Sequence, residues 1–400
     1  MPKTLSRIAL VLCCALLLAC GGTGTQQATP TAVDAPAPSI IIPLGQPVII
    51  GISAPLSGDQ ATLGNDIADA AELAIASRGG TLLGHPLKIE RMDDHCTDAE
   101  KAVDVARQLV EMETLAGVVG PMCTIGAQAA NKVYEAAHVV HISPSVTRID
   151  VSGQDEQYFF RTAWRDDTQA TVQAGYAANT LKAGKVTLVD DGEPYGKTLA
   201  DAFARAFGGL GGSIVSRERV ERGAIDFSPL ARQVKSAAPE AVVFEGLNPE
   251  GALLLKALRE AGYAGAFIAP DGLLSVRDFV IPGRPATEGA IVTGGALPDE
   301  AFVNLFRERF QRMPATAFVL QAYDAVSTLL AAIESTADEA YDGALVINKA
   351  ALADALRQQH FAGLTGPIEF DEHGDRRGDA PGPYGLVVYR VTGDRFEPVR

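Results

Sequence analysis

The chain has 400 residues, with 34 Lys and Arg against 49 Asp and Glu, and a formal charge of −15. That sign argues against nucleic acid or anionic membrane surfaces as partners, since both repel an acidic chain. At this length, with 47% hydrophobic residues, the sequence is long for one core and comfortable for two domains.

Lys3 and Arg7 precede an apolar run from Ile8 to Ala19. The run is shorter than the ~20 residues a helix needs to cross a bilayer, and it fits the apolar region of an export signal. It ends Leu17-Leu18-Ala19-Cys20-Gly21, which resembles the lipobox of bacterial lipoproteins. The resemblance implies that residues 1–20 are a signal peptide and that Cys20 is lipidated. The product would be held on the outer face of the cytoplasmic membrane by acyl chains at ~0.8 kcal/mol per buried CH₂. An ordinary signal peptide that happens to contain cysteines is the alternative. Residues 21–46 are rich in Gly, Thr, Ala and Pro and are expected to form a flexible tether.

Cys13 and Cys14 leave with the signal and Cys20 takes the lipid, so Cys96 and Cys123 remain. In an oxidising compartment one disulfide is the default, with two separate buried thiols as the alternative.

From residue 48 strand and helix patterns alternate. Val48–Ser53 is a continuous apolar run and so a buried strand. Ile67, Ala70, Ala71, Ala74 and Ile75 then recur at helical spacing. Strands are expected at Pro86–Asp94, Leu115–Gly120 and His138–Ser143, and a helix at Gln128–Ala137. Thr97-Asp-Ala-Glu100 has the capping-box pattern and opens a helix through Met112. The pattern restarts with a helix near 168–181. Strands follow at Lys185–Asp190, Ser213–Ser216, Ala241–Glu245, Gly265–Ala269 and Gly289–Thr293, with helices at Gly196–Phe207, Phe227–Ala237 and Glu250–Ala261. Helices at Asp299–Gln311, Ala317–Ser335 and Lys349–Gln359 come next. Gly366–Phe370 and Tyr384–Val391, joined by Asp371-Glu-His-Gly374, close the chain as β segments.

Such alternation predicts an α/β protein with parallel sheets covered on both faces. Two series predict two doubly wound lobes, and ligands of such sheets sit beyond the carboxyl ends of the strands. Four loops there attract attention: Ala54-Pro-Leu-Ser-Gly-Asp-Gln-Ala-Thr-Leu-Gly64, Gly120-Pro-Met-Cys-Thr-Ile-Gly126, Ser143-Pro-Ser-Val-Thr147 and Ala269-Pro-Asp-Gly-Leu273. Small residues, hydroxyls and a helix start suit an anionic group, and the last loop's carboxylate suits a cation.

These loops, with Asp93-Asp-His-Cys96, Gln157-Tyr-Phe-Phe-Arg-Thr162, Pro194-Tyr-Gly196, Ala322-Tyr-Asp-Ala325 and Phe370-Asp-Glu-His-Gly-Asp375, resemble the branched-chain amino-acid-binding proteins of ABC importers. The resemblance runs in order from about residue 47 to 395. It implies the type I periplasmic binding fold, with two lobes joined by three crossings near 163, 295 and 360. Lobe I would be 47–162 plus 296–358, and lobe II 163–295 plus 359–400. It also implies a Cys96–Cys123 disulfide beside the site.

By the same resemblance Thr124 matches a serine that holds the ligand carboxylate. Ser145 matches an alanine whose backbone touches the ligand, and Thr147 a threonine that binds both ends of it. Asp271 matches the acid that pairs with the α-ammonium, Tyr195 a tyrosine from the second lobe, and Phe318 a side-chain-pocket aromatic. Leu63 and Leu247 stand where the family often has aromatics, which leaves the side-chain specificity open. Plainer roles fit the same residue types: Thr124 and Ser145 as turn or cap residues, Asp271-Gly272 as a turn pair, Tyr195 as hinge packing and Phe318 as core.

Catalytic and metal-binding patterns are weak throughout. Gly208-Gly-Leu-Gly-Gly212 lacks the spacing of a dinucleotide loop and reads as a helix stop. His138 and His141, three apart on a strand, would face opposite sides. His95 neighbours a cysteine needed for the disulfide. Asp371–Asp375 lacks a calcium loop's alternating carboxylates and reads as a hairpin turn. Arg377-Gly-Asp379 is a bare tripeptide. The expectation is a non-enzymatic, monomeric receptor without cofactor or metal, which captures a neutral aliphatic amino acid and delivers it to a membrane permease. A ligand sensor of the same fold, or a binder of amides, urea or aromatic acids, is the alternative. Trp164, the only tryptophan, falls at the expected first crossing and would report closure.

Overall fold

The computed structural model describes residues 38–153, 156–378 and 385–399. The expected signal peptide, Cys20 and most of the expected tether lie outside them. The end of that tether is a strand. β1 (Ser39–Ile42) buries Ile40 and Ile42 while Ile41 faces out, the period-2 alternation of an edge strand. Three consecutive isoleucines override the small-residue composition around them.

The first sheet is built from β2 (Val48–Ala54), β3 (Thr81–Leu82), β4 (His85–Asp93), β5 (Leu115–Val119), β6 (His141–Ser143) and β7 (Phe159–Arg161), in the order β3-β4-β2-β5-β6-β7. All neighbours are parallel except β3 with β4. Helices α1 (Ala61–Ser77), α2 (Ala99–Val110) and α3 (Thr124–Ala136) cover it. Ile50, Ile52 and Ile142 pack with Ile67, Ala71 and Ala74 of α1 on one face. Val118 packs with Leu109 and Tyr134 on the other.

The second series is α4 (Asp166–Gly175), β8 (Lys185–Asp190), α5 (Pro194–Gly209), β9 (Ser213–Arg219), α6 (Ser228–Ala237), β10 (Ala241–Glu245), α7 (Glu250–Glu260), β11 (Ala266–Ala269), the short α8 (Ile281–Gly283) and β12 (Ile291–Gly294). After α9 (Glu300–Phe310) and α10 (Val319–Thr336) come β13 (Asp338–Glu339), β14 (Leu345–Asn348), α11 (Lys349–Gln358), β15 (Phe361–Gly363), β16 (Gly366–Ile368), β17 (Val387–Thr392) and β18 (Arg395–Pro398). The second sheet runs β18-β17-β12-β11-β10-β8-β9, parallel from β9 to β12, with β17 and β18 antiparallel at one edge. β1 pairs antiparallel with β14.

In both sheets the strand order reverses, at β2 between β4 and β5 and at β8 between β9 and β10. Loops diverge at such switch points and leave a crevice beyond the strand ends. The loops after β2 and β5, both singled out above, flank the first crevice, and the Ala269–Leu273 loop follows β11, two strands from β8 in the second sheet.

Several expectations change. The second helix is capped by Asp98, whose side chain accepts from the Lys101 N–H, not by Thr97. Asp98 is the residue with extended backbone just before the first helical turn, so its side chain is the one that reaches the free N–H. His138 lies in a turn at φ +52° and the strand begins only at His141. His141 is buried against Tyr134 and Phe159, and burial pushes it down to about 4, so it stays neutral. The segments around 366–370 and 387–391 are not partners. β16 turns back on β15, and β17 lies between β12 and β18. Asp371–Gly374 is a turn, but it closes a bridge between Phe370 and Arg376. Gly374, at φ +77°, sits so close to the Phe159 carbonyl that a Cβ would lie 2.0 Å from it. Past residue 360 the chain forms the β15–β16 pair and then packs beside the first sheet. Thr365 binds Asp324 of α10, the Phe370 ring packs on Phe160, and Asp375 pairs with buried Arg161 at 2.7 Å. The return to the second sheet comes after these contacts.

Candidate ligand-binding cleft

The two crevices open into one cleft, about 900 Å³ when the solvent-filled mouth is included. Thr124, Ser145, Tyr195, Asp271, Phe318, Leu63 and Leu247 all line it, drawn from seven separate loops and helix starts. Thr147 does not. It lies just behind, 1% exposed, where its carbonyl accepts the Asp166 N–H at 2.9 Å.

One wall is the start of α3. Cys123 is the N-cap residue and offers no side-chain cap, so the first N–H groups of the helix and the Thr124 hydroxyl are available to the cleft. A helix N-terminus carries partial positive charge and favours an anion. The Cys96–Cys123 disulfide, with Cα atoms 5.1 Å apart, ties this start to the loop after β4. Ser145 donates its hydroxyl to the Met122 carbonyl at 2.7 Å, and Ser143 donates to Pro121 at 2.6 Å. Both hydroxyls brace the α3 approach, and the Ser145 N–H points at the Ser143 hydroxyl at 3.5 Å.

The opposite wall presents Asp271, with further carboxyl groups buried behind it. Asp191 follows β8, Glu245 ends β10 and Asp271 follows β11, so adjacent strand ends each carry a carboxyl group. Asp166 joins them from α4, fully buried. Asp271 accepts the Tyr195 hydroxyl at 3.0 Å. Burial pushes Asp271 up to about 6, against the opposing pull of Gln169 and Tyr195. Burial pushes Asp166 up to about 7, with Asp271's charge adding to the rise and Thr147 opposing it. The Thr147 hydroxyl sits beside the Asp166 carboxyl without a hydrogen bond of good geometry. Glu245 is raised well above the carboxylate range by burial. The nearby cations are spoken for: Arg222 pairs with Glu250 at 2.6 Å and Arg161 with Asp375. A ligand's cation would relieve this surplus of acid.

The third wall is apolar: Leu63, Leu247, Leu274, Met122 and Phe318. Phe318 is the N-cap residue of α10 at φ +70° and stacks on Trp164 with ring centres 5.0 Å apart. Gly64 lets α1 start beneath this wall, since a Cβ there would lie 2.0 Å from the Pro55 carbonyl.

Residues that sequence reasoning missed join the two sides. Gln60 donates to the Asn248 carbonyl at 3.1 Å, and Thr62 to Asp278 at 3.4 Å. Thr316 and Arg222 also line the cleft. Gln60 lay inside a loop already singled out, but its partner is 188 residues away, which no local pattern encodes.

Among the described residues no group of acidic, His or Cys side chains has the geometry to hold a metal ion. No helix among them is long and apolar enough to cross a membrane.

A family model described as periplasmic binding protein matches residues 47–394. An amino acid binding protein of Pseudomonas aeruginosa is 32% identical over 336 residues, covering 82% of this chain and 87% of that one. A leucine-, isoleucine-, valine-, threonine-, and alanine-binding protein of the same organism is 30% identical, with 82% and 86% covered. Among solved structures, a leucine-binding protein of Thermotoga maritima aligns with a TM-score of 0.78 at 24% identity, covering 88% of this chain and 98% of that one. A solute-binding protein of R. palustris in complex with benzoate aligns at 0.75 and 20% identity, with 88% and 95% covered. These structural likenesses establish the α/β fold of parallel-sheet lobes.

Proposed function

Because the chain belongs to the periplasmic binding protein family, whose members are exported solute-binding proteins and not enzymes, we propose that it is the receptor of an ABC importer for a neutral aliphatic amino acid. The observation that carries this is the polarity of the cleft. The uncapped start of α3 with Thr124 suits a carboxylate, and Asp271 with its acidic neighbours suits an ammonium on the other side. The apolar wall of Leu63, Leu247, Leu274 and Phe318 suits an uncharged side chain. The names of the relatives agree with this chemistry.

In this reading lobe I holds residues 47–162 and returns from about 296, and lobe II holds 163–295. Lobe I in this reading runs beyond 358 to about 376, which the contacts of Thr365, Phe370 and Asp375 support. Ligand bound between the lobes draws them together through contacts made only in the closed form. The closed monomer docks on a membrane permease, and a lipid on Cys20 keeps it near that partner. Mass spectrometry of the mature N-terminus tests the anchor: a peptide beginning at an acylated Cys20 is expected, and an unmodified one would remove it.

Calorimetry with a panel of L-amino acids and their deaminated acids tests the ligand class. Leucine, isoleucine or valine should bind in the micromolar range or tighter, and 4-methylpentanoate should not compete. Tight binding of the deaminated acid, or of benzoate, would replace the amino acid with a simple carboxylate.

A further inference from the structure

We propose that Asp66, which does not touch the cleft, is the positioning residue for its apolar wall and thereby sets which amino-acid side chains fit. This rests on the amino-acid reading above. Asp66 lies about one turn along α1 from Leu63 and is fully buried. A single oxygen of its carboxylate, Oδ2, accepts three hydrogen bonds from one loop. They come from the Ala315 N–H at 2.7 Å, the Thr316 N–H at 2.9 Å and the Thr316 hydroxyl at 2.8 Å. The other oxygen pairs with Arg312, which also reaches Asp69 and lies over the Phe306 ring at 5.1 Å. Charge-assisted bonds of this kind are stronger than neutral ones, and here they converge on one buried charge.

The loop needs that hold. It joins α9 to α10 in few residues and contains two side chains at positive φ, Gln311 at 56° and Phe318 at 70°. Bulky residues keep that conformation only when their surroundings over-determine it. Thr316, Ala317 and Phe318 all line the cleft, beside Leu63. Across the cleft the Ala315 carbonyl accepts the Val276 N–H at 3.3 Å. The loop is therefore gripped from α1 and touched from the far side. Freed from Asp66, Phe318 would leave its strained backbone and its stack on Trp164, and the wall would recede. A ligand long enough to lean on that wall would lose contact, and a short one would not.

Asp66→Asn tests this, with Arg312→Gln as a second variant that leaves the carboxylate in place and weakens its hold. In Asp66→Asn leucine affinity is expected to fall about tenfold and alanine affinity less than twofold, with the same direction and a smaller size in Arg312→Gln. Emission of Trp164, the only tryptophan, should shift to the red in the ligand-free variant. Equal losses for leucine and alanine, or no loss for either, would overturn the proposal. Should Asp66→Asn fail to fold, Arg312→Gln is judged by the same ratio. If the unmodified protein binds no amino acid, the ligand reading fails by itself. The Trp164 shift then decides whether Asp66 holds Phe318, and an unchanged spectrum in both variants would show that it does not.

Discussion

The Tyr195 hydroxyl donates to Asp271 Oδ1 over 3.0 Å, and the two residues follow strands that are separated by β10 in the second sheet. The bond gives the acid a fixed direction while burial works against its charge. A carboxylate held this way is prepared for an ammonium before one arrives, which lowers the ordering cost of binding.

Removing that acid should discriminate between ligands. Asp271→Ala is expected to weaken leucine by 2 kcal/mol or more, about thirtyfold, since one partner of a buried charge pair is left alone. Any residual binding of deaminated acids should be unchanged or improved. Calorimetry on both ligand types checks this, and matched losses would place the ammonium elsewhere.

Affinity should depend on pH in one direction. Asp271 must be ionised to pair with an ammonium, and burial raises it to about 6 in the ligand-free protein. Binding should be flat above pH 7 and weaken as pH falls below about 6. The sign for ligand-free stability is opposite. The folded protein holds this proton more tightly than the unfolded chain, whose ordinary value is 3.8, so this group's contribution is most favourable at low pH and is lost as pH rises through about 6. The thermal shift caused by leucine should therefore be larger at pH 8 than at pH 5.5. A shift that is the same at both would show that Asp271 does not change its protonation on binding.

Gln60 reaches across the cleft to the Asn248 carbonyl at 3.1 Å. Gln60→Ala removes this bond and leaves Asp271 and the α3 start intact. A hydrogen bond of this kind contributes about 1 kcal/mol, so ligand affinity should fall roughly fivefold, mainly through faster release. Stopped-flow dissociation and small-angle scattering of the liganded protein measure both parts. An unchanged release rate would mean that the bond does not hold the closed form.

The Cys96–Cys123 bond closes a loop of 27 residues. In the chain-entropy model it contributes roughly 3–4 kcal/mol. Replacing both cysteines with serine should lower the denaturant midpoint accordingly. It should also weaken binding, because the loop after β4 no longer braces Thr124. Affinity retained at full strength in the folded variant would limit the bond to stability.

Much of this protein was legible in its residues alone. Continuous apolar runs such as Val48–Ser53 and Ala241–Glu245 became fully covered parallel strands, because only a strand shielded on both faces can be apolar on both. The order of the loops marked the family, and seven of the eight expected ligand residues line one cleft. Local patterns misjudged the details that depend on partners. Ile40 and Ile42 looked like the end of a tether until β14 lay beside them. Thr147 looked like a ligand residue but is covered over, and the Ser145 hydroxyl is taken by a carbonyl. Periodicity and composition report what a segment can bury, and that was enough for two sheets, their helices and the strand ends where a cleft opens. The acid surplus around Asp271, the reach of Gln60 to Asn248 and the grip of Asp66 on the Phe318 loop join residues 76 to 250 positions apart. Those pairings were decided only by tertiary structure, since hydrogen bonds and desolvation act over ångströms in space whatever the separation along the chain.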